Sequence, residues 1–301
     1  TPLEHSPYLS NLASANVFLK LDNIQKTGSF KFRGAFNKIS LIPENRRYKG
    51  VVAFSSGNHA QGVAAAAQIF GIPAKIVMPS DAPQIKIQNT RNFGAKVVLY
   101  DRKKANRVEV ANRIIEETGG LMIPPYDDPD IIAGQGTIAL ELLRQVKHRN
   151  VDLDMVLGPS SGGGMMSGCA LVLKNHNPGI NLYCVEPENY DDIALSLEIG
   201  KRIKIRPKTP SLCDALLLET PGELTFQILS DMRVSGLAVS EEAVLYAMRV
   251  AFEEFKVVLE PSGAIALGAV LMRKICCKGK NLAVICTGGN VDPHVFQKVL
   301  I

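Results

Sequence analysis

The chain is 301 residues long, with 34 basic against 29 acidic side chains, a formal net charge of +5 and 46% hydrophobic residues. That length holds one large domain or two modest ones, and a mild charge with no long like-charge run argues against a nucleic-acid partner. Aromatic residues are only 6% with no Trp, so there is no platform for stacking bases, and apolar runs such as VVAF and AIALGAVLM break well before the roughly 20 residues a membrane span needs.

In chain order, β-branched runs at 17–21, 51–56, 74–79, 95–101, 155–161, 181–187 and 282–289 alternate with helical patterns. The helical patterns cover 58–70, 84–93, 107–118, 137–148, 164–175, 241–255 and 262–273. This rhythm predicts an α/β fold of open, doubly wound, mostly parallel sheets. Three strands end in small polar residues and run straight into a helix: Ser55-Ser56-Gly57-Asn58, Ser160-Ser161-Gly162-Gly163-Gly164 and Thr287-Gly288-Gly289-Asn290. Ligands of such sheets bind at the carboxyl ends of strands, so these loops are the places to look. IPPYDDPD, at 123–130, reads as a turn-rich break that carries the chain between domains. The cysteines, Cys169, Cys184, Cys213, Cys276, Cys277 and Cys286, form no C-x-x-C pattern and mostly sit among apolar residues, which predicts reduced thiols and a cytosolic setting.

Two stretches carry chemistry. SSGGGMMSG, at 160–168, follows an apolar strand and opens a helix, so its backbone N–H groups and the helix field suit a phosphate. It lacks the Lys of a triphosphate loop and the spacing of a dinucleotide fingerprint; a tight turn made for packing is the plain alternative. GSFKFRGAF, at 28–36, sets Lys31 between Phe30 and Phe32, where apolar neighbours favour a neutral, nucleophilic amine. A solvated cation at a helix start is the competing reading. A phosphate cradle with one distinctive lysine is the combination that pyridoxal phosphate needs.

KTGSFKFRGAFNKI, SSGNHAQGVA, IVMPSDAPQIK, IAGQGTIALE, SGGGMMSG, EPSGA and TGGNVD, in this order and across nearly the whole chain, resemble the fold-type II pyridoxal phosphate enzymes of the threonine dehydratase and serine racemase family. The resemblance implies the tryptophan synthase beta-like fold. Its large domain would comprise 1–41 and 128–301, with a small domain at 42–127 inserted, and the protein would act as a cytoplasmic homodimer on a small amino acid. Lys31 would carry the cofactor as a Schiff base, with Phe30 against its ring, Asn58 on the ring hydroxyl and Thr287 facing the pyridine nitrogen. The amides of Ser161, Gly162, Gly163, Gly164 and Met165 would hold the phosphate. Ser161 replaces a usual glycine, which raises the question of its backbone angle.

Ser55, Ser56, Gly57, Asn58 and His59 would line the loop that takes the substrate carboxylate. Ser56 would be the second acid/base group of a racemase, or a helix cap. Glu186, the Tyr190 carbonyl and Asp192 match the family's site for Mg²⁺ or Ca²⁺; a solvated acidic turn is the alternative. Glu260 resembles the acidic residue beneath the active site, and Ala215 stands where a glycine usually packs on the cofactor. The implied reaction is α,β-elimination from L-threonine or L-serine to 2-oxobutanoate or pyruvate and ammonia. Serine racemase and 3-hydroxyaspartate dehydratase are alternatives within the family, and a non-catalytic anion-binding protein is an alternative outside it.

Overall fold

The computed structural model describes residues 1–82 and 84–300. By packing, the chain divides into two units, Thr1–Phe30 with Gln135–Ile301, and Lys31–Gly134. The first unit opens with β1 (Leu3–His5), α1 (Pro7–Ala13) and β2 (Asn16–Leu21). The second contains α2 (Lys31–Ser40), β3 (Val51–Phe54), α3 (Asn58–Ile69), β4 (Ala74–Pro79), α4 (Gln84–Asn92), β5 (Lys96–Tyr100), α5 (Arg107–Thr118) and β6 (Leu121–Met122). Helix α6 (Pro129–Lys147) carries the chain back to the first unit. There follow β7 (Met155–Pro159), α7 (Gly164–His176), β8 (Asn181–Pro187), α8 (Asp192–Ile199), α9 (Glu223–Asp231), β9 (Ser235–Val239), α10 (Glu241–Phe255), α11 (Pro261–Leu271), β10 (Asn281–Cys286) and α12 (Pro293–Leu300).

Helix starts follow their capping residues. The hydroxyls of Ser6 and Ser240 and the amide oxygen of Asn106 accept from Leu9, Ala243 and Val108 N–H groups, opening α1, α10 and α5. Gly119 and Gly200, in left-handed conformations, close α5 and α8.

The large sheet has the order β1-β2-β10-β7-β8-β9, parallel except for β1 against β2. Alternation along each strand sorts its core into two layers. Val17, Leu19 and Leu21 of β2 and Leu282, Val284 and Cys286 of β10 pack with α10 and α11, whereas Phe18, Ala283 and Ile285 pack with α7 and with Ile138 and Leu142 of α6. Every residue of α11 is buried, as befits a helix apolar on all sides. Lys20 of β2 is also buried, its ammonium held by Glu141 Oε2 at 2.8 Å and Gln145 Oε1 at 2.8 Å.

The small sheet, β5-β4-β3-β6, is parallel throughout. Val51, Ala53, Ile76 and Met78 join α2 and α3 on one face, and Val52 and Val77 join α5 on the other. Gly62 lets α3 press on the start of α2, since a Cβ there would lie 3.1 Å from the Lys31 carbonyl carbon and the Phe32 nitrogen.

In the large sheet, β7 leads outward to β8 and β9, while β10 lies on its other side. This reversal makes the carboxyl ends of β7 and β10 a topological switch point, the usual ligand crevice of such sheets. The loop after β10 is held against α11 by a close approach. A Cβ on Gly263 would sit 2.3 Å from the Gly288 carbonyl oxygen. Gly263→Ala is therefore expected to destabilise by about 1–3 kcal/mol through overpacking, which thermal melting measures.

Several elements differ from the sequence expectation. Helix α6 begins at Pro129, ahead of the expected 137; the Thr287–Asn290 loop opens no helix, because it pairs with the Gly28–Phe30 segment and α12 starts only at Pro293; and β1, β6, β9, α1, α2, α8 and α9 were not expected. All six cysteines are free, and only Cys276 is exposed. Among the described residues, no helix is long and apolar enough to cross a membrane.

Candidate active site

In the first unit, the loop after β7 runs Ser160-Ser161-Gly162-Gly163 into α7. Gly163 is the N-cap in a left-handed conformation, φ +84°, and no side chain caps the helix. The first-turn N–H groups of α7 therefore lack an intrahelical acceptor. Any Cβ at Gly163 would also lie 2.9 Å from Thr225 Cβ. Thr225 fixes the loop by donating its hydroxyl to the Gly162 carbonyl at 2.6 Å. Ser161 stays out of the left-handed region, so its replacement of glycine costs no strain, and its hydroxyl accepts from Leu218 N–H at 3.3 Å. The buried Ser160 hydroxyl finds no hydrogen-bond partner among the described residues. An uncapped helix start with an unpaired hydroxyl beside it fits a phosphate.

Thr287, 4% exposed, follows β10 directly. Its carbonyl accepts from Phe30 N–H at 3.0 Å, the Gly28 carbonyl accepts from Gly289 N–H at 3.0 Å, and Ser29 pairs with Gly288 in an antiparallel bridge. Gly288 in turn accepts from the N–H of the buried Glu260 at 3.0 Å. The segment before Lys31 is thus zipped to the segment after β10. Just upstream, Thr27 takes φ +67°, a costly setting for a β-branched residue of the kind that collects at functional sites, and Asn290 Nδ2 holds its carbonyl at 2.7 Å. Phe30 packs with the α7-side core, and Ala215 N–H donates to Ser262 at 3.1 Å.

In the second unit, Lys31 is the first residue of α2. Its amine donates to the Pro125 carbonyl at 2.9 Å, and burial pushes its pKa down to about 8. An amine so placed has a substantial neutral fraction near neutral pH, as a nucleophile or base requires. The loop after β3 holds Ser55, Ser56, Gly57 and Asn58, all half-buried. Ser55 Oγ accepts from Gly57 N–H at 3.2 Å, and no side chain caps α3 at Gly57. That open helix start suits a carboxylate. The ring of His59 turns inward: it is 3% exposed and its Nε2 lies 2.8 Å from the Ile123 carbonyl. Burial, then the Lys31 charge, pushes its pKa down to about 3.

Glu186, near the end of β8, and Asp192, which starts α8, are both fully buried. Glu186 accepts from Ile193 N–H at 3.1 Å and Ala194 N–H at 2.8 Å, while both carboxylate oxygens of Asp192 lack a hydrogen-bond partner among the described residues. Burial and then the Asp192 charge raise the Glu186 carboxyl well above its usual range; burial raises Asp192 to about 8. Among the described residues no three His, Cys, Asp or Glu side chains gather for a metal. Two buried acids, one of them with both oxygens lacking a partner among the described residues, are nevertheless a donor set that fits a hard cation.

Sequence reasoning passed over Pro125 and Ile123, which act here through backbone carbonyls. Their only sequence signal is the Pro-rich break itself.

Residues 1–288 match the family model described as pyridoxal-phosphate dependent enzyme. The chain is 43% identical over 300 residues to L-threonine ammonia-lyase of Thermotoga maritima, covering 100% of this chain and 73% of that one. It is 40% identical over 301 residues to L-threo-3-hydroxyaspartate ammonia-lyase of Saccharomyces cerevisiae, covering 100% of this chain and 90% of that protein. Among solved structures, maize serine racemase superposes with a TM-score of 0.92 at 38% identity, covering 100% of this chain and 91% of the other. The lysine, the phosphate-competent loop and the α/β architecture thus meet a match over almost the full length, and the chain belongs to the pyridoxal-phosphate dependent enzyme family.

Proposed function

We propose that this enzyme is an ammonia-lyase that eliminates the β-hydroxyl of L-threonine and L-serine, giving 2-oxobutanoate or pyruvate and ammonia. The observation that carries the reading is Thr287 at the end of β10, beside the end of β7 in the sheet order. If Thr287 faces the pyridine nitrogen, a hydroxyl there in place of a carboxylate would leave the cofactor a weaker electron sink and favour elimination over transamination. When bound, pyridoxal phosphate supplies an electron sink conjugated to the substrate Cα.

The protein's own residues do the rest. Amides of Ser161, Gly162, Gly163, Gly164 and Met165 would hold the phosphate, with Phe30 against the ring and Asn58 on its hydroxyl. The open start of α3, with Ser55, Ser56, Gly57, Asn58 and His59, takes the substrate carboxylate on backbone N–H groups. Lys31, once free of the cofactor, removes the Cα proton; its lowered pKa supports that role. Glu186, Asp192 and the Tyr190 carbonyl would hold Mg²⁺ or Ca²⁺.

A second reading, serine racemase or 3-hydroxyaspartate ammonia-lyase, is favoured by Ser56. Ser55 Oγ is engaged with Gly57 N–H, while the adjacent Ser56 stays half-open in the same loop. Incubation of the holoenzyme with L-threonine, L-serine and threo-3-hydroxyaspartate, with keto-acid detection and chiral analysis, tests both readings. Release of 2-oxobutanoate from threonine supports the first. Formation of D-serine, or turnover of hydroxyaspartate alone, replaces it with the second.

A further inference from the structure

The His59 imidazole is not on the face the loop presents. It sits in the first turn of α3, buried, with Nε2 2.8 Å from the Ile123 carbonyl. A carbonyl only accepts, so Nε2 bears the proton. Nδ1 is then a bare lone pair, and it has no hydrogen-bond partner among the described residues. Burial, the Lys31 charge and the positive end of the helix all oppose a second proton. The ring is therefore a fixed, neutral donor across the physiological range.

What it holds is a strut. Ile123, fully buried, is tied on one side by its N–H to the Val52 carbonyl at 2.8 Å and on the other by its carbonyl to His59. Pro124 and Pro125 follow, with fixed φ and no N–H of their own, so the orientation set at Ile123 passes to the next carbonyls with little slack. The Pro125 carbonyl is the one that receives the Lys31 amine, at 2.9 Å.

We propose that His59 is a positioning residue. Through the Ile123–Pro125 strut it places the Pro125 carbonyl as the seat of the Lys31 amine whenever that amine is released from the cofactor. The seat returns the amine to one place after each detachment, for proton transfer and for reattachment. This deepens the reading of Lys31 given above and rests on it.

The test uses His59→Leu, which removes the donor, and His59→Gln, whose Nε2–H reproduces it. The first readout is the pH dependence of the rate at which pyridoxal phosphate attaches to the apoprotein, followed by absorbance. In the wild-type protein its midpoint should lie at about 8. Without the seated carbonyl the ammonium form loses an acceptor, so His59→Leu should move the midpoint to lower pH and His59→Gln should restore it. The second readout is turnover of whichever amino acid the holoenzyme accepts. A misplaced base should lower kcat by up to about 10²-fold with KM little changed, and His59→Gln should recover most of it. The third is the tautomer: ¹⁵N NMR of the wild-type protein at pH 7 should show a neutral ring protonated at Nε2.

A folded His59→Leu with unchanged midpoint and kcat overturns the proposal, as does a ring that is charged or protonated at Nδ1. Should His59→Leu not fold, loss of the midpoint and of kcat in His59→Gln overturns it equally. A wild-type protein that never acquires cofactor would strike at the role of Lys31, and the tautomer result would stand apart from that failure.

Discussion

Lys31→Ala is expected to abolish turnover, lowering kcat by at least about 10⁴-fold, since on the proposed reading one substitution removes both the covalent anchor and the group that moves the Cα proton. The amine's geometry argues for this size of effect. It starts α2, donates to Pro125, and is held by burial at a pKa of about 8. Raising the pH from 7 to 9 should accordingly increase the rate of cofactor attachment to the wild-type apoprotein along a curve centred near 8, well below the ordinary lysine value of about 10.4. The variant should keep the fold, because losing a buried amine removes a desolvation cost along with one hydrogen bond. Absorbance of bound cofactor, keto-acid release and thermal melting measure the three effects. A variant retaining more than about a hundredth of wild-type turnover would remove Lys31 from the mechanism.

Chelation is expected to destabilise the protein most strongly at alkaline pH, through Glu186 and Asp192. In the unfolded chain both carboxyls ionise near 4. In the folded protein burial raises both, Asp192 to about 8, and the Asp192 charge raises Glu186 further. Between those limits the native state without a cation binds more protons than the unfolded state, so its stability falls as pH rises from about 4 to about 8. A hard divalent cation held by this pair, as proposed above, would replace those protons and reverse the trend. Calcium or magnesium added to EDTA-treated protein at about 100 times its dissociation constant should restore about 2.7 kcal/mol, on the order of 5 °C in melting temperature. The gain should be large at pH 8 and small at pH 5. Asp192→Asn should blunt both the pH slope and the response to the cation. Identical melting with EDTA and with calcium at pH 8 would leave this pair as a buried, proton-sharing acid couple with no metal.

The parallel strands were legible because burial on both faces makes them continuous β-branched runs. MVLG, NLYCV and LAVIC stand out in the sequence and coincide with β7, β8 and β10. β9, reading SGLAV at the sheet edge, and the two-residue β6 are too short or too small-sided to show a period. The early start of α6 was hidden by Gly134 and Gly136, which resemble loop residues. Their missing Cβ atoms are explained by packing, since a Cβ would meet Gly34 Cα at 2.7 Å in the first case and Gly168 O at 2.9 Å in the second. At the site, Lys31 and the glycine loop announce themselves through residue type. The inward turn of His59 does not, because its acceptor is a peptide carbonyl that any residue at 123 would supply.

The central strand of the large sheet is also among the last to be made. β10 runs parallel to β2, with Asn281 opposite Asn16, and pairs with β7 on its other edge. A ribosome releasing the chain from its amino end therefore exposes β2 long before it can be covered, whereas α2 to β6 emerge as one uninterrupted stretch. The lysine-bearing unit can fold while synthesis continues. The large sheet must wait for its keystone, with apolar strand edges open to chaperones or to aggregation in the interval.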